Sequence, residues 1–294
     1  MHNADPPERG GVCAKSIVPV AARWRPPTGT LAALLTAARA RAAELRVRRL
    51  ALEAAVAAAG RPPSFAEALR RSDVAIIAEV KRRSPSKGDI NPGLRADDRA
   101  AAYAAGGAAA ISVLTEPARF GGTADDLRAV AARVAVPVLR KDFIVDPLQL
   151  VEARSLGAAA ALLIARALEP ALLAEMVAAA RGLVLEPLVE VRDAGELDRA
   201  LAAGASVIGV NNRDLETLVI DDAVATRLIP LVPPDVVAIA ESGMSIRADV
   251  EAAAVAGADA VLVGSALSAT GDPTAAVGAL AGVPRRRRVD PALR

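Results

Sequence analysis

The sequence predicts an α/β protein: a (β/α)8 barrel of parallel strands with an extra helical segment at its N-terminal side. Three observations carry the prediction. Eight short apolar runs alternate with longer Ala-rich amphipathic stretches. Several of those stretches stop at Gly and pass through Ala into the next run, the pattern of a helix end feeding a short loop and a strand. The length of 294 residues suits one barrel of about 250 residues with tails. An open doubly wound sheet also alternates strands and helices. Eight units, with no Gly-x-Gly-x-x-Gly after the first strand, favour the barrel.

Residues 1–28, with PPERGG and RWRPPTG, read as a flexible extension, from which Trp24 could dock on the body. From Thr30, TLAALLTAARARAAELRVRRLALEAAVAAA contains no Gly or Pro. It reads as one long helix or two shorter ones, with Thr30 as a cap. Gly60 and Pro62–Pro63 end it, and Ser64 opens a short helical turn, FAEALRR. The strands follow: VAIIAEV (74–80), AAISVLT (109–115), PVLRKDF (137–143), AAALLIA (159–165), LVLEPLVEV (183–191), SVIGVNN (206–212), VVAIAES (236–242) and AVLVGS (260–265). Residues 29–283 thus hold the barrel and its helical cap, and 284–294 form a basic tail. The run Arg285–Arg288 resembles a nucleic-acid patch, but a solvated tail is the expectation, because no aromatic side chains are interleaved to stack bases.

Composition narrows the chemistry. Hydrophobic residues make up 53% and aromatics only 2%, so the core must be built from Ala, Val, Leu and Ile. A formal net charge of +2 is too close to balance to suggest a nucleic-acid partner. No apolar run has the roughly 18 uncharged residues of a membrane span. MHNADPPERGG lacks a basic-then-apolar layout, so the cytoplasm is the expected location. Cys13 is the only cysteine and His2 the only histidine, both in the Pro/Gly-rich N-terminal segment. Intrachain disulfides, Ser-His-Asp triads, Cys-His pairs and Cys/His zinc sites are therefore excluded. An enzyme of this composition must move protons through Lys, Glu, Asp, Tyr or a hydroxyl.

In such a barrel the active site lies at the C-terminal ends of the strands. Those ends read Glu79-Val-Lys81, Thr115-Glu116, Lys141-Asp142-Phe143, Glu190, Asn211-Asn212-Arg213, Glu241-Ser242-Gly243 and Gly264-Ser265, with the fourth strand ending in LLIAR. Each ending alone is ordinary for a loop. Converging on one face, they would form a pocket of lysines, carboxylates, an amide and an arginine. Side chains alternate along a strand, so Glu79 and Lys81 share a side. An ion pair that merely seals the barrel is the other reading of these two. Ser242-Gly243 and Gly264-Ser265 follow the last two strands, where small residues let backbone N–H groups approach a phosphate.

AEVKRRSPSKG, VLTEPARFGG, PVLRKDFIVD, EPLVEV, VNNRDL, AESG and VLVGSAL together closely resemble the indole-3-glycerol phosphate synthase family, TIM-barrel enzymes of tryptophan biosynthesis. The resemblance runs in order from about Leu31 to about Leu280. It implies a carboxy-lyase that converts 1-(2-carboxyphenylamino)-1-deoxyribulose 5-phosphate to indole-3-glycerol phosphate, CO2 and water, without cofactor or metal. It implies Lys141 as general acid and Glu190 as general base, with Lys81 contacting the substrate and either only holding it or also delivering a proton, and Glu79 and Asn211 orienting these groups. Ser84 and Arg213 match positions near the anthranilate end, and Phe120 and Phe143 match walls for its ring. Glu241, Ser242, Gly243, Gly264 and Ser265 match the substrate and phosphate side. Beside another cation in a partly dry pocket, Lys141 is expected to have a lowered pKa. Residues 82–93 would be a lid over the carboxylate end.

A phosphoribosylanthranilate isomerase would want an early catalytic Cys, and the histidine-pathway barrels would want Asp at the ends of the first and fifth strands. A non-catalytic phosphate-binding barrel is the reading from another class. The expected partner is a small phosphorylated molecule, with no nucleic acid and no membrane. A monomer is expected, with a dimer left open.

Overall fold

The computed structural model describes residues 24–86 and 88–288. Eight parallel strands close into a barrel: β1 Ala75–Val80, β2 Ala110–Leu114, β3 Val138–Lys141, β4 Ala160–Ile164, β5 Glu186–Val191, β6 Val207–Asn211, β7 Val237–Glu241 and β8 Ala260–Val263. Each pairs with the next in sequence, and β8 returns to β1 with Ala260 opposite Ala75 and Val263 opposite Ala78. Closure leaves no free edge. The strands are apolar on both faces because one face fills the barrel and the other lies under helices. Register sets which side chains meet at the mouth: Glu79 lies opposite Ser112, Leu114 opposite Lys141, Ile164 opposite Glu190, and Asn211 opposite Glu241. This is the TIM-barrel architecture that the alternation of runs predicts.

The helices start and stop where local chemistry dictates. α6 (Ala124–Arg133) begins with a reciprocal Thr123–Asp126 capping box, and α7 (Pro147–Ser155) with Asp146 and Gln149. α11 (Arg247–Ala256) ends at Gly257, whose φ of 93° is open to glycine and strained for other residues. With so few aromatics, Ala, Val, Leu and Ile fill the interior, and Tyr103 and Phe65 are the bulkiest fully buried side chains.

The N-terminal helical segment resolves into two helices. α1 (Gly29–Glu44) and α2 (Arg49–Ala58) are joined by a 3-10 turn at Leu45–Arg48. Thr30 is not the cap. The helix starts at Gly29, and the N–H and hydroxyl of Thr28 donate to Glu216 Oε1 at 2.6 and 3.2 Å. α1 crosses the barrel mouth, where Arg41 donates to Asp142 Oδ1 at 2.9 Å. α2 packs on α7, and Arg154 of α7 donates to Gly60 O at 2.6 Å. α3 (Phe65–Leu69) is opened by Ser64, which accepts from Glu67 N–H. Pro62, Pro63 and Phe65 then lie beside Ala159 and Glu186 at the starts of β4 and β5. The segment therefore clamps the barrel from mouth to base.

Two expectations about the ends change. Of the predicted flexible extension, residues 1–23, with His2 and Cys13, lie outside the described residues. Trp24 is docked: its Nε1 donates to Arg166 O at 3.2 Å, and Arg166 in turn donates to Arg25 O and Glu216. The predicted solvated tail holds for Arg286 and Arg287, which are exposed, but not for its neighbours. Asp259, buried at the base, pairs with Arg285 at 2.5 Å and Arg288 at 2.9 Å, and also accepts from Ala238 N–H. A carboxylate withdrawn from water needs counter-charges and donors, and these two arginines supply them. Arg288→Ala is expected to lower unfolding free energy by about 2 kcal/mol, because Arg285 still partners Asp259. Denaturant titration reads that loss, and an unchanged midpoint would show that Arg288 contributes nothing.

Candidate active site

The C-terminal strand ends surround a cavity of about 240 Å³. All fourteen residues singled out from the sequence line it: Glu79, Lys81, Ser84, Phe120, Lys141, Phe143, Glu190, Asn211, Arg213, Glu241, Ser242, Gly243, Gly264 and Ser265. Leu34 of α1 also lines it, so the helical cap forms part of the wall.

Charge is concentrated on β1, β3, β5 and β7. Lys141 Nζ donates to Glu241 Oε2 at 2.7 Å and to Glu190 Oε2 at 3.3 Å. Lys81 Nζ pairs with Glu79 Oε1 at 2.7 Å. Burial works against the Lys141 ammonium, but Glu241, Glu190 and Glu79 outweigh it and hold the pKa above the ordinary lysine range. This reverses the expectation of a lowered pKa. The nearest charges are carboxylates from other strands, while the charge of Lys81 is taken up by Glu79. Glu241 is pushed up to about 7, chiefly by burial, with Lys141 opposing and Glu190 adding to the shift. Its place beside Lys141 puts it in the charged cluster as well as on the cavity wall. Among the described residues, no cluster of three His, Cys, Asp or Glu side chains is arranged to hold a metal ion.

Two glycines make room for this cluster. A Cβ on Gly209 would lie 2.0 Å from Glu241 Oε1. A Cβ on Gly264 would lie 2.2 Å from Glu79 Oε1 and 2.7 Å from Lys81 Nζ. The absence of a side chain at Gly264 thus leaves room for the Glu79–Lys81 pair. Gly209 went unnoticed in sequence, although a glycine inside a strand is itself a signal of close approach. Gly209→Ala is expected to push Glu241 off Lys141 and lower kcat by about tenfold, with a stability loss of about 1–3 kcal/mol. Steady-state kinetics beside a thermal melt check this, and wild-type kcat would overturn it.

Other strand-end residues act on the frame. Glu116 is fully buried and accepts from the N–H groups of Ala118, Arg119 and Phe120, which sets α5 (Pro117–Phe120) and the ring of Phe120. Asp142 accepts from Phe143 N–H at 2.8 Å, from the Thr115 hydroxyl at 2.7 Å and from Arg41. In Lys-Asp-Phe, then, the acid shapes the turn between a lysine and a ring. Phe120 and Phe143 face each other with centroids 6.4 Å apart and planes tilted by 38°. The third phenylalanine, Phe65, is core.

Asn211 Oδ1 accepts from Arg213 N–H at 2.9 Å, and Arg213 donates to Leu218 O at 2.9 Å. Burial lowers the pKa of Arg213, with Glu79 opposing. Asn212 points away from the cavity and donates to Ser242 O at 3.1 Å, so β6 supports the turn after β7. That turn holds Ser242 at φ 62° and Gly243 at φ 82°. A serine in the left-handed region is strained, and such residues cluster at ligand sites. After Gly264, Ser268 of α12 (Ser265–Ala269) donates to Glu79 O at 3.2 Å.

The segment read as a lid is a small antiparallel hairpin, with Arg83–Ser84 pairing Gly88–Asp89. Lys87 lies outside the described residues. Arg82 pins its base through Asp126 at 2.6 and 2.8 Å and through Leu94 O.

A family model described as indole-3-glycerol phosphate synthase matches residues 31–280. Over 257 residues the chain is 47% identical to indole-3-glycerol phosphate synthase 2 of Streptomyces coelicolor, which covers 87% of this chain and 100% of that protein. Over 226 residues it is 52% identical to the indole-3-glycerol phosphate synthase of Mycobacterium leprae, covering 77% of this chain and 83% of that one. A solved structure of thiamine phosphate pyrophosphorylase from Pyrococcus furiosus matches with a TM-score of 0.53 and 16% identity over 72% of this chain and 95% of that one, a likeness of fold alone. The family match begins within α1 and ends with α13 (Pro273–Leu280), so helical cap and barrel are matched as one unit. The chain belongs to the indole-3-glycerol phosphate synthase family.

Proposed function

We propose that the chain is a carboxy-lyase that closes the indole ring, taking 1-(2-carboxyphenylamino)-1-deoxyribulose 5-phosphate to indole-3-glycerol phosphate with release of CO2 and water. The observation that carries this reading is Lys141 held between Glu190 and Glu241 in a cavity walled by Phe120 and Phe143. Ring closure needs an acid at the ketone oxygen, a base for the dehydration, and anion anchors at both ends of the substrate. This cavity offers all of them.

The phosphate sits against Ser242, Gly243, Gly264 and Ser265. The aromatic ring lies between Phe120 and Phe143, with its carboxylate toward Lys81, Ser84 and Arg213. Lys141 protonates the ketone oxygen as the ring carbon bearing the carboxylate attacks. The raised pKa keeps the ammonium charged near neutrality, and the alkoxide developing at the ketone oxygen is a stronger base than an amine. The carboxylate leaves as CO2, and its bonding electrons restore the aromatic ring. The hydroxyl then departs as water while Glu190 takes a proton from the adjacent carbon. Glu79 and Asn211 hold Lys81 and Arg213 in place. Which lysine protonates the departing hydroxyl is decided by the pose of the intermediate.

The test is turnover. The purified chain with the carboxyphenylamino substrate should develop indole absorbance and release one CO2 per indole. Binding without product would favour the non-catalytic barrel and overturn the reading.

A further inference from the structure

A second cavity, of about 160 Å³, lies beside the first, and Glu190 and Asn211 are among the residues that line both. Its walls are polar: Arg166 after β4, Arg192 and Glu196 after β5, and Asp214 and Glu216 after β6, with Leu31 of α1 as roof. The outer wall reaches solvent, with the Arg192 and Arg166 side chains 35% and 28% exposed, against 4% for Glu190. Arg192 Nε is buried without a protein partner, the kind of donor that water satisfies. A polar space of this size has room for several waters.

Ring closure, on the reading proposed above, has a proton requirement. Two protons go to oxygen, at the ketone and at the departing hydroxyl. One returns from carbon. The substrate carboxylate leaves as neutral CO2, so each turnover draws one proton from solvent. With substrate filling the mouth, the acid–base cluster needs another way out to water.

We propose that this second cavity carries that proton, with Glu196 as the side chain that relays it through cavity water to Glu190, which hands it on to Lys141 across their 3.3 Å hydrogen bond and is left free to act as base. Glu196 is buried at the start of α9 (Ala194–Ala202), and its Oε2 accepts from Arg192 N–H at 2.7 Å. Burial, with Asp193 adding and Arg199 and Arg166 opposing, pushes its carboxyl up to about 7, so both protonation states are populated near neutrality. The reaction chemistry otherwise leaves this carboxyl without a part.

The experiment is steady-state indole formation, because one turnover can run on protons the lysines already hold and only repeated turnover needs one from solvent. Glu196→Gln keeps an oxygen for Arg192 N–H but cannot relay. It is expected to be about tenfold slower, and to recover as imidazole, a diffusible proton carrier, is raised. Glu196→Asp keeps an acid and should stay within about threefold of wild type without imidazole. A Gln variant at wild-type rate overturns the relay. So do Gln and Asp variants equally slow and indifferent to imidazole, which would mark a purely structural carboxylate. If the Gln variant does not fold, the Asp variant decides by the same two readings. A wild-type chain that forms no indole overturns the ring-closure reading, and the relay with it, whereas an active wild type with an unaffected Gln variant overturns the relay alone.

Discussion

Lys141→Ala is expected to lower kcat by at least about a hundredfold while the barrel stays folded, the scale of a lost general acid. The ammonium touches both Glu190 and Glu241. Removing it takes away the proton for the ketone oxygen. The fold should survive, because Glu241 is already pushed up to about 7 and can take up a proton once its counter-charge is gone. Lys141→Arg separates charge from acid work. A guanidinium keeps the positive charge but cannot give up its proton, so this variant should be nearly as slow as Ala. Steady-state indole formation beside circular dichroism checks both variants. Near-normal turnover in either would remove Lys141 from the acid role. Because its pKa lies above the ordinary lysine range, the alkaline limb of the wild-type pH profile should not report Lys141 deprotonation.

Glu190→Gln should cost at least about a hundredfold in kcat as well, but at a different step. The amide matches the carboxylate in size and can still accept from Lys141, so binding and ring closure are largely kept. It cannot take the proton released in dehydration. In a single turnover, CO2 should therefore appear before indole, whereas wild type should release the two together. Equal rates of CO2 and indole in the variant, or turnover close to wild type, would place the base elsewhere. Glu241 is the nearest alternative, since it shares Lys141 and titrates near neutrality.

Much of the site was legible before any coordinates. A strand alternates sides at every residue, so Glu79 and Lys81 had to share a face, and the barrel turned that face toward the mouth. The scarcity of His and Cys left Lys and Glu as proton carriers. Glu116 and Asp142 show where strand-end reading stops. Both are acids at strand ends, as Glu79 and Glu190 are, yet one caps the turn carrying Phe120 and the other braces Phe143. Nothing in their position along a strand separates the two kinds. The difference lies in which N–H groups are within about 3 Å, and that depends on loop conformation.

The sequence alone determined the eight-unit barrel, the helical cap, the family resemblance and the residues gathered at the mouth. These follow from patterns a few residues long: apolar runs of strand length, glycine stops, and motifs read in order. The tertiary structure decided the electrostatics and the roles of the ends. Lys141 and Glu241 stand a hundred residues apart, and only barrel closure brings them to 2.7 Å and raises a pKa expected to fall. Arg288 and Trp24, read as parts of tails, are held by Asp259 and Arg166 from far along the chain. Glu196, which resembles any helix-start acid in sequence, becomes a buried carboxyl beside a second cavity. Coulomb energy and desolvation depend on distance and burial in space, and the order of residues along the chain does not contain either.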